Sequence, residues 1–93
     1  MQENIKIGDV CRSSAGRDKN TNYLVIEVDN HTALVVDGRE RKVGKPKKKN
    51  TKHLKKLQAE SLFFVAEQMR NGFVGNERLF RLIKQSANKN KED

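Results

Sequence analysis

Half of the basic residues of this chain lie in a single window of twenty positions, from Gly38 to Leu57. The window holds ten Lys or Arg and one acid, Glu40, so its net charge is +9, whereas the whole chain carries +8. Inside it, Pro46 lacks an amide donor and three consecutive lysines repel one another, which argues against a regular strand. The window therefore predicts a solvated loop from Gly44 to Thr51, or a segment that becomes ordered on a partner.

The concentration of positive charge in one window favours a polyanionic partner. Cations that neutralise phosphates release condensed counterions, and this release drives binding to nucleic acids. The residues before and after the window are nearly neutral in sum. They are therefore expected to form the scaffold that presents the charged window.

The composition limits the chain to one small domain with few chemical options. It has 93 residues, with equal apolar and charged fractions of 34%, and such a chain buries only a modest core. The single cysteine, Cys11, excludes an intrachain disulfide and a cysteine-rich zinc site, and it is expected to be a buried, inert thiol. With no signal-like or membrane-spanning apolar run, the chain is predicted to be soluble and cytoplasmic, with no membrane partner.

The first half of the chain predicts β-structure. Tyr23–Val28 and Thr32–Val36 are rich in β-formers and are expected to be buried strands. A shorter strand around Ile5–Cys11 precedes them, and Asp37-Gly38 favours a two-residue hairpin turn. Arg39–Val43 is then expected to return as a more exposed strand. Strands at this spacing predict a small antiparallel barrel or meander.

The second half predicts a helical hairpin. Leu62, Val65, Ala66 and Met69 follow a helical period, and Asn71-Gly72 is a typical stop. Asn76 is a candidate N-cap for a second helix that carries Leu79, Ile83 and Ala87. The apolar residues of the hairpin either pack on the β-structure or form an interface with another protein or copy. Because Phe63 and Phe64 are adjacent, they are not expected to face one core together.

Residues 7–28, IGDVCRSSAGRDKNTNYLVIEV, resemble the KOW motif. They contain a leading Gly8-Asp9-Val10, an Ala-Gly-Arg-Asp-Lys loop at Ala15–Lys19, and an apolar strand after it. The continuation through Val36-Asp37-Gly38, the basic segment and Lys52-His53-Leu54 is similar to the archaeal and eukaryotic large-subunit ribosomal protein family L-fourteen-e. It also resembles small bacterial KOW-domain RNA-binding proteins. The similarity covers roughly residues 5–57.

This resemblance implies an SH3-like antiparallel β-barrel that binds RNA in a ribosomal context. The expected class is mainly β plus α, with an SH3-like KOW domain at 1–57, a C-terminal α-hairpin at 58–88 and a polar tail at 89–93. Where KOW sequences often have a second glycine, this chain has Asn20-Thr21-Asn22, and Asn replaces Gly well where φ is positive. Gly16 is also expected to have a positive φ or to allow a close backbone approach.

The candidate RNA-binding residues are Arg12, the cations of the KOW loop, the cations of the basic window as far as Lys52, and His53. Lysines on a mobile loop suit contact with the phosphate backbone, whereas arginines on a strand can offer fixed geometry. Any selectivity is expected from Arg17, Lys19, Arg39 and Arg41. The full set is Arg12, Arg17, Lys19, Arg39, Arg41, Lys42, Lys45, Lys47, Lys48, Lys49, Lys52 and His53.

Each candidate also has a purely structural interpretation. The lysine run can serve as a solvated loop that keeps the protein soluble, and Arg17 and Lys19 can be ordinary charges of a polar loop. Arg39 and Arg41 share a strand face and can instead pair with neighbouring acids. His53 can be a packed or capping residue.

The sequence predicts no enzyme, no cofactor and no metal. Only two histidines are present, and nothing assembles a nucleophile, a base and an oxyanion donor. The predicted function is therefore non-catalytic RNA binding, with ribosomal RNA as the expected partner and ribosomal proteins or a second copy as further partners of the hairpin. The alternatives are a protein-interaction adaptor that works through the hairpin, and a DNA-binding regulator, for which no helix-turn-helix is evident.

Overall fold

Five strands and two α-helices follow one another in the computed structural model, which describes residues 4–42, 44–57, 60–72 and 75–91. The elements are β1 (Val10–Ser13), β2 (Asn22–Val28), β3 (Thr32–Val36), β4 (Lys47–Asn50), a 3-10 turn (Thr51–His53), β5 (Leu54–Lys56), α1 (Phe63–Arg70) and α2 (Asn76–Lys91). The mixed β plus α class is confirmed. The predicted strand end at Val43, the boundary at 58–59, Phe73 and the last two tail residues lie outside the described ranges.

The strands form one antiparallel sheet in the order β4-β3-β2-β1-β5. The central strand is β2, the longest apolar segment of the chain. Its first half pairs with β1, from Asn22 to Leu24, and its second half pairs with β3, from Leu24 to Val28. The register shifts between Val25 and Glu27, so Ile26 is an extra residue. A bulge of this kind bends its strand and increases the twist.

The two edge strands of the sheet, β4 and β5, are neighbours in sequence. In a flat sheet, four gaps would separate them by about 19 Å, but the four residue steps from Asn50 to Leu54 span at most about 14 Å. The sheet must therefore curve. Two contacts bring β4 and the 3-10 turn to the loop after β1: the Ser14 amide donates to the His53 carbonyl at 2.8 Å, and Lys49 Nζ donates to the Ala15 carbonyl at 3.0 Å.

Side chains alternate between the two faces of the sheet along each strand, and apolar side chains are buried on both faces. One face packs against the helices and holds Val10, Leu24, Ile26, Val36 and Leu57 with Ala66, Met69, Leu79, Ile83 and Ala87. The other face holds Ile5, Cys11, Tyr23, Val25, Ala33, Val35 and Leu54. Cys11 has no exposed surface, as the sequence predicted. The apolar residues of the helices thus serve mainly to cover the sheet.

Two glycines allow the helices to approach the sheet closely. Gly8 has φ +95°, and a Cβ at this position would overlap the backbone of Phe63 at the start of α1. The Leu62 amide also donates to the Gly8 carbonyl at 2.7 Å. At the other helix, a Cβ on Gly38 would overlap the Asn76 carbonyl in the first turn of α2. The end of α1 follows the predicted signal, since Asn71 caps α1 and Gly72 has φ +79°. Asn76, predicted as the N-cap of α2, is instead its first residue, and the Leu79 amide donates to the Gly75 carbonyl at 3.0 Å.

Two predictions for the basic window were wrong. Residues 47–50 form β4 rather than a loop, because alternation sends Lys47 and Lys49 to one face and Lys48 to the other, which relieves their repulsion. Pro46 only precedes the strand. Residues 39–42 form a turn rather than a strand, and Asp37-Gly38 is not a two-residue hairpin. The physical reason is the Asp37 carboxylate, which accepts hydrogen bonds from the Arg39 and Arg41 amides at 2.8 Å each and curls the backbone.

Candidate nucleic-acid interface

Asp18 organises the loop between β1 and β2. Its carboxylate accepts hydrogen bonds from Lys49 Nζ and Ser13 Oγ at 2.8 Å, from the Tyr23 hydroxyl at 2.7 Å and from Lys47 Nζ at 3.0 Å. The side chains of Asp18 and Lys49 are only 12% and 8% exposed. We call Ser13, Asp18, Tyr23, Lys47 and Lys49 the Asp18 cluster. It ties the loop to β2 and to the edge strand β4.

The cluster sets the ionisation of its acidic members. Burial alone would raise the pKa of Asp18, but hydrogen bonds from Lys49, Tyr23, Lys47 and Ser13 outweigh burial and hold this pKa well below its ordinary value. Burial and the hydrogen bond to Asp18 raise the pKa of the Tyr23 phenol above its ordinary range. Asp18 is therefore a charged partner for two lysines at neutral pH. Lys47 and Lys49 are engaged inside the protein, so the structure removes them from the exposed cations that the sequence predicted as a phosphate-binding loop.

The adjacent lysines 48 and 49 should respond differently to mutation. Lys49→Met keeps the aliphatic stem but removes a buried charged donor, and it is expected to lower the free energy of unfolding by about 1–3 kcal/mol. Lys48→Met is the matched control, because the Lys48 side chain is exposed, and it should change this free energy by less than about 0.5 kcal/mol. Urea unfolding of both variants gives the comparison. Equal stability losses would contradict the burial of Lys49.

The Asp18 cluster leaves the remaining cations of the loop pointing outward. Arg17 and Lys19 are both exposed. Gly16 has φ +89° and Asn20 has φ +77°, so both predicted positions for unusual backbone are confirmed. The loop backbone closes on itself, because the Asn20 amide donates to the Ser13 carbonyl at 2.8 Å. Arg17 and Lys19 therefore lie on a defined turn.

A second group of cations lies where β1 pairs with β5. Arg12 is directly opposite Lys55 in the register, and Arg12 Nε donates to Asn22 Oδ1 at 3.0 Å. Lys52 is exposed on the 3-10 turn, whereas His53 is half-buried. Because the Ser14 amide holds the His53 carbonyl, this turn is attached to the loop that carries Arg17. We call Arg12, Arg17, Lys19, Lys52 and Lys55 the loop-end surface.

A third group of cations follows β3. Arg39, Arg41, Lys42 and Lys45 are exposed on the segment between β3 and β4, which we call the Asp37 turn. Arg39 does not project freely: its guanidinium lies 3.9 Å from the centre of the Phe80 ring, and Nη2 lies 3.5 Å from Glu77 Oε2. Arg39 and Arg41 were expected to point to the same face of a strand. This expectation does not hold, because the backbone here is a turn.

Lys48 belongs neither to the loop-end surface nor to the Asp37 turn. It lines an open groove with Glu27, Asp29 and Arg70, where Arg70 Nη2 pairs with Glu27 Oε2 at 3.2 Å. Mixed charge makes this groove a poor phosphate site.

Sequence reasoning missed two residues of this region. Lys55 joins the loop-end surface only through the β1–β5 register, which no local pattern reveals. Asp18 was not among the predicted site residues, although an acid in a loop that immediately precedes a buried Tyr is a signal for such a contact. The sequence therefore identified the charged region but not the acid that shapes it.

No group of three or more His, Cys, Asp or Glu that could hold a metal ion occurs in the described part of the chain. Neither of the two helices, over their described residues, is long and apolar enough to cross a membrane. No protein-family model matches this chain, and no curated protein is significantly similar to it in sequence.

Proposed function

We propose that this chain is a non-catalytic RNA-binding protein that docks on structured RNA, with ribosomal RNA as the target. The observation that carries the proposal is the loop-end surface. Four exposed cations and the half-buried Arg12 lie there on three connected segments, and within the described residues none of the five forms an ion pair. By contrast, Lys47, Lys49 and Lys56 face Asp18 or Asp9. Unpaired cations fixed on one surface suit a phosphate backbone.

The curved sheet supports a finer description of the fold as an SH3-like barrel of the KOW type. The two halves of β2 pair with different strands, and a three-residue 3-10 turn joins the two edges. The Ala15–Lys19 loop, which gives the resemblance to KOW sequences, carries both Asp18 and the outward Arg17 and Lys19. The resemblance favours RNA over DNA.

The test is the salt dependence of binding to large-subunit ribosomal RNA. The variant Lys19→Gln/Lys52→Gln/Lys55→Gln removes three exposed charges from the loop-end surface. The matched control Lys6→Gln/Lys48→Gln/Arg70→Gln removes three exposed charges elsewhere. If each loop-end lysine contacts a phosphate, the slope of log affinity against log salt should fall by about 2–2.7 in the first variant and little in the control.

Two outcomes would contradict the proposal. Equal changes of slope in both variants would mean that binding follows net charge rather than this surface. Equal or tighter binding of duplex DNA in competition would remove the preference for RNA. Cross-linking in cells, followed by identification of the RNA and sedimentation with ribosomal subunits, tests the ribosomal target.

A second candidate function is a protein-interaction adaptor, which one specific observation favours. Phe63 and Phe64, at the start of α1, are 48% and 72% exposed, although large apolar side chains at such positions are usually buried. The sequence had predicted that they would not share one core, and both are exposed. Binding to a protein partner that survives high salt and nuclease treatment, and is lost in Phe64→Ser, would support this function.

A further inference from the structure

The helix α2 differs from α1 in charge and in its neighbours. It carries five basic residues and one acid in sixteen positions, whereas α1 carries one of each. Among them, Arg78, Arg81 and Lys84 are exposed, and in the described part of the chain none of the three forms an ion pair. Residues three apart on a helix are surface neighbours, with Cβ atoms about 5–6 Å apart. The three side chains therefore form one cationic row.

The Asp37 turn is fixed against the first turns of this helix. Its backbone at Gly38 lies so close to α2 that an added Cβ would be 3.0 Å from the Phe80 amide nitrogen. The Arg39 guanidinium stacks on the Phe80 ring and reaches Glu77. Because Glu77, Phe80 and Lys84 lie on neighbouring positions of the helix surface, the turn is placed beside the row of cations. Arg41 and Lys42 belong to the same turn and are exposed.

The one acid of α2 does not interrupt this surface. Glu77 is the residue that Arg39 approaches, so its charge is balanced where the turn and the helix meet. The pair is solvent-exposed and contributes little stability. Its consequence is electrostatic, because Arg39 balances Glu77 and leaves Glu40, between Arg39 and Arg41, as the one exposed acid on the Asp37 turn.

We propose that the Asp37 turn and the exposed row of α2 form one continuous cationic surface that binds a second segment of the RNA backbone, in addition to the segment at the loop-end surface. This inference rests on the proposed function, since it extends the RNA footprint from the sheet to α2. The helix thereby acquires a role beyond covering the core.

A basic amphipathic helix can also bind an anionic membrane surface. In this molecule the apolar side of α2, with Leu79, Ile83 and Ala87, is buried against the sheet. Among the described side chains of α2, only Phe80 and Leu82 are partly exposed apolar groups, so this helix offers mainly charge. This arrangement favours a hydrated, highly charged polyanion such as RNA.

The experiment measures binding of the full chain to a stem-loop RNA from large-subunit ribosomal RNA over a range of salt concentrations. The test variant is Arg78→Gln/Arg81→Gln/Lys84→Gln, and the matched control is again Lys6→Gln/Lys48→Gln/Arg70→Gln. All six side chains are exposed, and circular dichroism verifies that each variant is folded. If the row contacts phosphates, the salt slope of the α2 variant should fall by about 1.4–2.7, for two or three lost contacts.

Other outcomes separate this inference from the proposed function. If the α2 variant behaves as the control while Lys19→Gln/Lys52→Gln/Lys55→Gln loses slope, the α2 surface is overturned and the loop-end surface stands. If neither variant differs from the control, both fail. An α2 variant that loses affinity for vesicles of anionic lipid but not for RNA also overturns the inference.

Discussion

Replacing Asp18 with asparagine is expected to lower the free energy of unfolding by about 3–5 kcal/mol. The substitution keeps the shape of the side chain but removes the negative charge that faces two lysines. The Lys49 ammonium, whose side chain is only 8% exposed, would then be buried without a carboxylate partner. Removal of one member of a buried ion pair is costly for this reason, more so than the net value of the pair itself. Urea unfolding at neutral pH gives the measurement.

The same variant should lose a pH dependence that the original protein has. In the folded protein the pKa of Asp18 is held below its ordinary value. Its contribution to stability is therefore present above the unfolded pKa of about 4, and it is lost as pH falls below that value. The Asp18→Asn variant lacks this contribution at every pH, so the stability difference between the two proteins should shrink as the solution is acidified below pH about 4.

Asp29→Asn is the matched control for Asp18→Asn. Asp29 is an exposed acid in the β2–β3 turn, where its carboxylate accepts only the adjacent Asn30 amide among the described contacts. This control should change stability by less than about 1 kcal/mol. If Asp18→Asn were as stable as Asp29→Asn, the Asp18 cluster would not hold the loop, and the ordered positions of Arg17 and Lys19 would need another cause.

The strands and helices that the sequence predicted well have local causes. The run Tyr23–Val28 forms the central strand, because its residues 23–26 are apolar and buried on both faces, whereas Glu27 and Val28 at its end are exposed. The helical period from Leu62 to Met69 and the Asn71-Gly72 stop reproduce α1 closely. The positive φ values of Gly16 and Asn20 follow from the same local chemistry. These features depend on short stretches of sequence, so a single sequence is sufficient to predict them.

The errors in the basic window have non-local causes. Pro46 and three lysines argue against a strand when only their neighbours are considered. Residues 47–50 nevertheless form β4, because the carboxylate of Asp18, about thirty positions earlier, accepts hydrogen bonds from Lys47 Nζ and Lys49 Nζ. In the same way, Lys55 joins Arg12 only through the β1–β5 pairing. The charge of the site was therefore predictable from sequence, whereas the division of its lysines between internal and exposed roles required the tertiary structure.

Gly38→Ala is expected to lower the free energy of unfolding by about 2–5 kcal/mol. Gly38 has φ +85°, where an alanine costs about 1–2 kcal/mol. The new methyl group would also overlap the Asn76 carbonyl of α2, and overpacking of this kind costs a further 1–3 kcal/mol or so. Gly72→Ala separates the two effects, because Gly72 has φ +79° but no atom of the described residues within 4 Å of its would-be Cβ. It should show only the first cost in the same urea titration.

The excess cost at Gly38 has a functional consequence because the overlapping atoms belong to the backbone of α2. A backbone carbonyl cannot rotate away as a side chain does, so relief requires the Asp37 turn and α2 to move apart. Arg39 would then leave the Phe80 ring, and the cations of the turn would no longer lie beside Arg81 and Lys84. The folded Gly38→Ala variant should consequently show a reduced salt slope for RNA, close to that of the α2 variant, whereas Gly72→Ala should keep the original slope. A Gly38→Ala protein with the original slope would show that the turn and the helix bind RNA independently or not at all.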